Sequence, residues 1–309
     1  MPSLPPRTLG LAIAVLAIAA LALSACGGST SSPGSSSGKL QVVAAEDFWG
    51  SIAEQLGGDR IEVTSIITNP AADPHDYEPT SEDARAMAGA QMAIVNGIGY
   101  DQWATKLLEA NPDSSRTVLT VGELLGLKDG DNPHQWYSPA SVQKVIDRIV
   151  VDYEQADPGD RAYFERRRRE LETRGLARYR SLISQIKARY GGVTVGASES
   201  IFAPLAPALG LKLLTSQGFL DAIAEGSEPT PAEKATVDYQ IAAHQIEVWV
   251  YNSQNATPDV QRINSAAQAA GIPVATVTET LTPEGASFEA WQSRELEGLR
   301  SALAKATGR

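Results

Sequence analysis

Two of the three histidines in this chain stand in matching surroundings. His75 follows a proline in the segment Asp-Pro-His-Asp, and His134 follows a proline in Asn-Pro-His-Gln-Trp. Proline restricts the backbone, which would fix the direction of each imidazole, and neutral imidazole is a common ligand for Zn, Mn and Fe. Either histidine alone would be an ordinary surface side chain. Together they make a metal site a hypothesis that requires further ligands.

Two glutamates can supply those further ligands. Glu199 comes directly after the apolar stretch at residues 193–197, and Glu279 follows the stretch at residues 274–277 in the same manner. An acid at the carboxyl end of a strand faces the region where α/β sheets bind ligands, and there it can pair with a cation. Two other interpretations stay open: Glu199 could cap the next helix, and Glu279 could be an exposed loop acid.

Short apolar runs separated by helical stretches predict the elements that must position these side chains. In the first part of the chain the runs lie at residues 40–45, 61–67, 91–96 and 117–121. They resume at residues 193–197, 211–214, 248–251 and 274–277. Strands that alternate with helices are typical of a parallel sheet covered by helices. The sequence therefore predicts an α/β fold with two similar lobes.

Residues 160–190 predict one long amphipathic helix between the two lobes. The stretch contains almost no turn residue. Its later half repeats apolar positions at helical spacing, namely Tyr179, Leu182, Ile183, Ile186 and Tyr190. Two lobes joined in this way leave a cleft at the carboxyl ends of their strands. The candidate ligands are expected to line that cleft.

The N-terminal segment predicts export and lipid attachment. The apolar run after Arg7 is too short to span a membrane stably and is typical of a signal peptide. The small residues before Cys26 resemble a bacterial lipobox, in which the cysteine becomes the lipid-modified N-terminus. A plain signal peptide cut nearby, with an incidental cysteine, is the alternative. The Gly- and Ser-rich stretch that follows predicts a flexible tether.

These patterns together predict the order of the segments along the chain. They are a signal peptide at residues 1–25, a lipidated tether at 26–38, a first α/β lobe at 39–152, a linking region with the long helix at 153–190, and a second α/β lobe at 191–309.

The chain has 26 Lys and Arg against 37 Asp and Glu, a net charge of −11. Such a charge repels phosphate backbones and attracts cations, which argues against nucleic acid as a partner.

Several motifs resemble the metal-binding receptors of zinc and manganese ABC importers, the ZnuA/TroA-like family. They are Asp-Pro-His-Asp-Tyr-Glu-Pro-Thr, Asn-Pro-His-Gln-Trp and Glu-Ser-Ile-Phe, and the resemblance runs from Leu40 to the C-terminus. It implies two lobes joined by one long rigid helix. It also implies the metal ligands His75, His134, Glu199 and Glu279. The family more often has aspartate at the fourth position, and Glu284 is the second candidate there.

The resemblance implies a monomeric, extracytoplasmic receptor that hands a metal ion to an ABC permease and is held at the cell membrane by its N-terminal lipid. The ion is cargo, Mn²⁺ or Zn²⁺, and Fe²⁺ is also compatible. Two imidazoles with carboxylates form a harder site than thiolates do, and the glutamate at the third position resembles manganese-type members, which favours Mn²⁺. The alternatives are a secreted metalloenzyme and a surface adhesin. We expect no functional role for His244.

Overall fold

The structure of the protein is a computed structural model that describes Met1 and residues 38–69 and 77–309. The predicted signal peptide, Cys26, nearly all of the tether, and His75 lie outside the described residues. The chain divides into two compact units, residues 1–38 and 39–309, and the second unit holds all of the elements discussed below. Within the described part of the chain, no helix combines the length and the apolar character needed to cross a membrane.

Among the described residues, eight parallel strands form two four-stranded sheets with the same strand order. The first sheet, in the order β2-β1-β3-β4, consists of β1 (Leu40–Glu46), β2 (Ile61–Ile67), β3 (Met92–Val95) and β4 (Thr117–Thr120). The second sheet, in the order β6-β5-β7-β8, consists of β5 (Thr194–Ala197), β6 (Lys212–Leu213), β7 (Val248–Asn252) and β8 (Val274–Val277). The predicted fold class is confirmed.

Strand order determines where each sheet can bind a ligand. In the first sheet the chain runs from β1 to β2 on one side and then crosses to β3 on the other side of β1. The second sheet repeats this reversal around β5. Neighbouring connections diverge at such a point and leave a crevice outside the carboxyl ends of the strands. The central strands are apolar and buried, as sheets covered on both faces require.

Helices cover the sheets and connect their strands. In the first half they are α1 (Asp47–Gly57), α2 (Ser81–Gly89), α3 (Gln102–Ala110) and α4 (Val121–Leu125). In the second half they are α8 (Ala206–Leu209), α9 (Gln217–Ala224), α10 (Pro231–Ala242), α11 (Pro258–Ala269) and α12 (Phe288–Thr307). Helices α2 and α10 both begin with capping boxes. In each, the threonine side chain, Thr80 or Thr230, accepts a hydrogen bond from the backbone N–H three residues later.

A helical segment lies between the two sheets along the chain. It comprises α5 (Pro139–Ala156), α6 (Arg161–Glu170) and α7 (Ala177–Tyr190), with a five-residue π-helical stretch at Leu171–Gly175. The helix predicted over residues 160–190 is present, and its π-helical stretch ends at Gly175, which has low helix propensity. Helix α5 was missed by the sequence reading, although Ser138 and Pro139 form a typical helix start.

One apolar core extends through both halves. It includes Trp49 of α1, Tyr179 of α7 and Phe288 of α12, all buried. The rings of Tyr179 and Phe288 meet edge to face at 6.1 Å between centroids. Helix α12 follows the last strand but packs against α7 and α1 as well as β8. The C-terminal helix therefore fastens the second half to the first.

Hydrogen bonds attach the loop after β8 and the start of α12 to the first half. The Leu281 N–H donates to Asp47 Oδ2 at 3.2 Å, and the Phe288 N–H donates to Ser51 Oγ at 3.0 Å. Tyr137 donates its hydroxyl to the carbonyl of Thr278 at 2.8 Å. Burial raises the pKa of Asp47 from 3.8 to about 7, although the Leu281 N–H favours its ionised form.

We expect the Asp47→Asn variant to weaken the pH dependence of stability. The pKa of Asp47 is raised from 3.8 to about 7. Between these two pH values the folded chain therefore binds more protons than the unfolded chain. The free energy of unfolding therefore falls as pH rises from about 4 to about 7. An asparagine still accepts a hydrogen bond from the Leu281 N–H but cannot ionise. The fall in the free energy of unfolding with rising pH should therefore be smaller by up to about 4 kcal/mol.

Urea unfolding of both proteins at about pH 4 and about pH 8 measures this difference. The exposed acid Asp59 lies in the same half of the molecule, so Asp59→Asn is the control and should follow the wild type. Parallel stability curves for Asp47→Asn and wild type would contradict the assigned pKa.

Candidate metal centre

Three side chains with metal-ligating atoms meet at the carboxyl edges of the two sheets. His134, Glu199 and Glu279 each present one ligand atom, and these atoms all lie within 4.8 Å of one another. The exposed fractions of the three side chains are 0%, 1% and 4%. His134 comes from the first half, whereas Glu199 follows β5 and Glu279 follows β8. The cluster therefore lies between the halves.

Asn132 fixes the orientation and protonation of His134. The amide of Asn132 donates to the carbonyl of Ser200 at 2.8 Å, so its oxygen faces the histidine. That oxygen accepts from the His134 backbone N–H at 2.9 Å and lies 3.0 Å from Nδ1. Because an amide oxygen can only accept, Nδ1 carries the proton and Nε2 keeps the lone pair that a metal requires.

Neutral donors hold both carboxylates. Asn252 Nδ2 donates to Glu199 Oε1 at 2.6 Å and to Glu279 Oε1 at 2.9 Å. Asn255 Nδ2 donates to Glu199 Oε2 at 2.8 Å. The hydroxyl of Tyr100 donates to Glu279 Oε2 at 2.8 Å. Each oxygen thus has a donor that favours the ionised carboxylate without neutralising its charge.

The turn that carries Tyr100 is strained. Gly97, Ile98 and Gly99 have φ angles of 70°, 61° and 82°, and a β-branched residue such as isoleucine is rarely found at positive φ. The carboxyl of Asp101 supports the turn by accepting from the backbone N–H groups of Asn96 and Gly97, both at 2.7 Å. Strained backbone supported in this way is typical of functional sites.

Aromatic rings surround the histidine. Trp136 lies 5.2 Å from the His134 ring and Tyr100 lies 6.1 Å from it, measured between centroids. Phe48 stacks on Trp136 at 4.0 Å. These rings keep bulk water away from the first-half side of the cluster, and a lower local dielectric strengthens the attraction between a cation and the two carboxylates.

The structure brings together three of the four predicted ligands. His134, Glu199 and Glu279 form the cluster, and His75 lies outside the described residues. Glu284, the second candidate for the fourth position, is exposed and is not part of the cluster. Glu279 is buried, so the alternative of an exposed loop acid is wrong.

Three residues of the site were missed by sequence reasoning, namely Tyr100, Asn252 and Asn255. Asn252 is the last residue of β7, and the positional argument that found Glu199 at the end of a strand also applies to it. His244 lies exposed in the turn after α10, with a φ of 48°. Its lack of a functional role remains a prediction.

A model of the family described as zinc-uptake complex component A, periplasmic, matches residues 42–302. The match covers most of the chain, and the chain belongs to this family.

Curated relatives align over part of their length. The manganese-binding lipoprotein MntA of Halalkalibacterium halodurans is 30% identical over 147 residues, which cover 47% of this chain and 49% of that protein. The iron-binding protein YfeA of Yersinia pestis is 29% identical over 189 residues, which cover 58% of this chain and 60% of that protein. The chain thus spans about half the length of the curated relatives it matches.

Solved structures share the fold. A manganese-bound variant of a periplasmic metal binding protein from Candidatus Liberibacter asiaticus has a TM-score of 0.72 at 20% identity, covering 85% of this chain and 98% of that chain. A mutant of the laminin-binding adhesin of Streptococcus agalactiae has a TM-score of 0.70 at 19% identity, covering 85% of this chain and 99% of that chain.

We expect Tyr100→Phe to weaken metal binding about 10-fold, because loss of a hydrogen bond to a ligating carboxylate typically costs 10- to 100-fold in affinity. Tyr153→Phe is a matched control, since its buried hydroxyl donates to the carbonyl of Ala53 at 3.1 Å in another part of the molecule. Both variants should lose about 1 kcal/mol of stability. Calorimetric titration with a divalent transition metal measures the affinities. Equal affinities for the two variants would show that Tyr100 does not support the site.

Proposed function

We propose that this protein is the substrate-binding component of an ABC importer, which captures a divalent transition-metal ion between its two halves and delivers it to the membrane permease. The ligands are His75, His134, Glu199 and Glu279. The ion is cargo rather than a resident cofactor, and Mn²⁺, Zn²⁺ and Fe²⁺ are the candidates. The protein acts as a monomer, with lobes at residues 39–152 and 191–309 on either side of the linking region at 153–190.

The buried cluster of His134, Glu199 and Glu279 carries this proposal. Two carboxylates with atoms within 4.8 Å of each other repel each other, and a bound cation removes that repulsion. An imidazole and two carboxylates suit the three candidate metals. The comparisons support the same assignment, since the family is described as a zinc-uptake component and the relatives are named for binding manganese or iron.

Capture and release suit this site better than catalysis does. A catalytic metal site keeps an open position for water or substrate, whereas these ligands are nearly inaccessible to solvent. His75 would complete a closed set of four. We therefore propose a receptor rather than the alternative metalloenzyme. Release of such an enclosed ion requires the halves to separate, and docking on a permease would supply the energy for that separation.

We expect the purified full chain, loaded with equal amounts of Mn²⁺, Fe²⁺ and Zn²⁺, to retain about one ion per molecule. A double variant with His134→Ala and Glu199→Ala should retain none, because only two of the four proposed ligands remain. Elemental analysis after removal of free metal gives the stoichiometry.

Glu284→Ala is the control for this experiment, since Glu284 is an exposed acid five residues from the proposed ligand Glu279, and it should bind as the wild type does. Glu279→Ala should lose the ion. Absence of stoichiometric metal from the wild type would overturn the receptor proposal, and equal loss from Glu284→Ala and Glu279→Ala would overturn the choice of the fourth ligand.

We further propose that the receptor works on the extracytoplasmic face of the cell membrane, held by a lipid on Cys26 after removal of residues 1–25. The curated relatives include proteins named as lipoproteins, which supports this location.

We expect Cys26→Ala to move the protein from the membrane fraction to the soluble extracytoplasmic fraction or the medium, because a thioether-linked lipid can no longer form. Fractionation followed by immunodetection measures the distribution. Metal binding by the released protein should equal that of wild type, which distinguishes loss of the anchor from misfolding. Unchanged membrane retention of Cys26→Ala would contradict lipid attachment at this residue.

A further inference from the structure

Glu295 of α12 connects the two chain segments that carry His134 and Glu279. Its Oε1 accepts from the backbone N–H of Thr278 at 2.8 Å, and its Oε2 lies 2.5 Å from the hydroxyl oxygen of Tyr137. Thr278 directly precedes Glu279, and Tyr137 ends the short helical turn that follows His134. One carboxyl group therefore contacts both the loop after β8 and the turn after His134.

The hydroxyl of Tyr137 has two oxygen neighbours but only one hydrogen. It lies 2.8 Å from the carbonyl oxygen of Thr278 and 2.5 Å from Glu295 Oε2. A carbonyl oxygen has no proton to donate, and an ionised carboxylate has none either. Both contacts contain a hydrogen only if Glu295 Oε2 is protonated and donates to Tyr137, which in turn donates to the Thr278 carbonyl.

The remaining contacts of Glu295 fit a neutral carboxylic acid. Its Oε1 accepts from Trp291 Nε1 at 2.9 Å as well as from the Thr278 N–H, as the carbonyl oxygen of an acid would. Within the described part of the chain, no lysine or arginine acts on this carboxyl, and Tyr137 is the titratable side chain that it contacts. The cavity beside Glu295 is lined mainly by apolar side chains, among them Phe202, Leu205, Val250, Val277 and Leu299.

Burial accounts for the protonation of both side chains. It raises the pKa of the Glu295 carboxyl from 4.5 to about 8, and it raises the pKa of the Tyr137 hydroxyl well above 10. Both groups therefore keep their protons near pH 7.

We propose that Glu295 is a positioning residue for the metal centre, which acts as a neutral acid and closes a cycle of hydrogen bonds with Tyr137 and Thr278. In this cycle the Thr278 N–H donates to Oε1, Oε2 donates to Tyr137, and Tyr137 donates to the Thr278 carbonyl. Both backbone groups of the residue before Glu279 are thereby attached to the half that carries His134. The inference rests on the proposed function of the site, because it concerns the placement of two proposed ligands.

Glu295→Gln distinguishes a neutral acid from a carboxylate, because an amide also combines one accepting oxygen with one donating group. We expect this variant to bind Zn²⁺ as tightly as the wild type at about pH 7. Glu295→Ala removes the cycle, and its affinity should fall about 10-fold, as is typical when support of a ligand is lost. Tyr137→Phe breaks the same cycle with little change of shape and should show a similar loss. Calorimetric titration of the full chain with Zn²⁺ gives the affinities.

Gln292→Ala is the matched control on the same helix. Gln292 is fully buried, and within the described residues its amide has no hydrogen-bond partner. Its truncation should lower stability but leave the affinity for Zn²⁺ unchanged, and circular dichroism shows whether each variant is folded at the temperature of the titration. An equal loss of affinity in Glu295→Gln and Tyr137→Phe would overturn the neutral acid. Wild-type affinity in Tyr137→Phe would overturn the positioning role.

Infrared spectroscopy tests the proton without any metal. A protonated carboxyl group has a carbonyl band that an ionised carboxylate lacks, so the difference spectrum between wild type and Glu295→Gln at about pH 7 should contain this band. Its absence would overturn the protonation of Glu295 and leave the receptor proposal intact. A wild type that binds no Zn²⁺, Mn²⁺ or Fe²⁺ would overturn the receptor proposal, and the positioning role with it.

Discussion

Glu199 and Glu279 place two negative charges side by side where water hardly reaches them. With ligand atoms within 4.8 Å of each other, the two charges repel by at least about 3.5 kcal/mol at an effective dielectric constant of about 20. The donors Asn252, Asn255 and Tyr100 stabilise the two ionised groups but add no positive charge. A lysine or arginine at these places would stabilise the carboxylates more strongly and would compete with the cargo. Neutral donors leave the negative charge of the two carboxylates uncompensated, so that it can attract a cation.

That arrangement depends on contacts between the two halves. Tyr100 and His134 belong to the first half and the glutamates to the second, while Asn132 reaches across to the carbonyl of Ser200. The loop that carries Glu279 is also attached to the first half through Asp47. Contacts between the two halves therefore assemble the cluster.

The fold could be predicted from the sequence because most strands are short apolar runs bounded by polar or turn residues, and alternation of strand and helix signals leaves few topologies. Helix α5 was not predicted, although Ser138 and Pro139 form its start. Among the proposed ligands, Glu199 and Glu279 were predicted from residue type and position after strands, and His134 from the Pro-His setting that it shares with His75. Asn252 was missed because imidazole and carboxylate side chains were sought as ligands, and its contact with both glutamates follows only when β7 is known to lie between β5 and β8.

Selectivity between metals follows from geometry more than from ligand identity. According to the Irving–Williams order, almost any set of nitrogen and oxygen donors binds Zn²⁺ more tightly than Mn²⁺. A site that accepts Mn²⁺ must therefore offer donor atoms that Zn²⁺ does not use, such as a second oxygen from each carboxylate. Here those second oxygens are already hydrogen-bonded, Glu199 Oε2 to Asn255 and Glu279 Oε2 to Tyr100. The same hydrogen bonds therefore make two adjacent buried carboxylates tolerable, and each occupies only one of the two lone pairs of its oxygen.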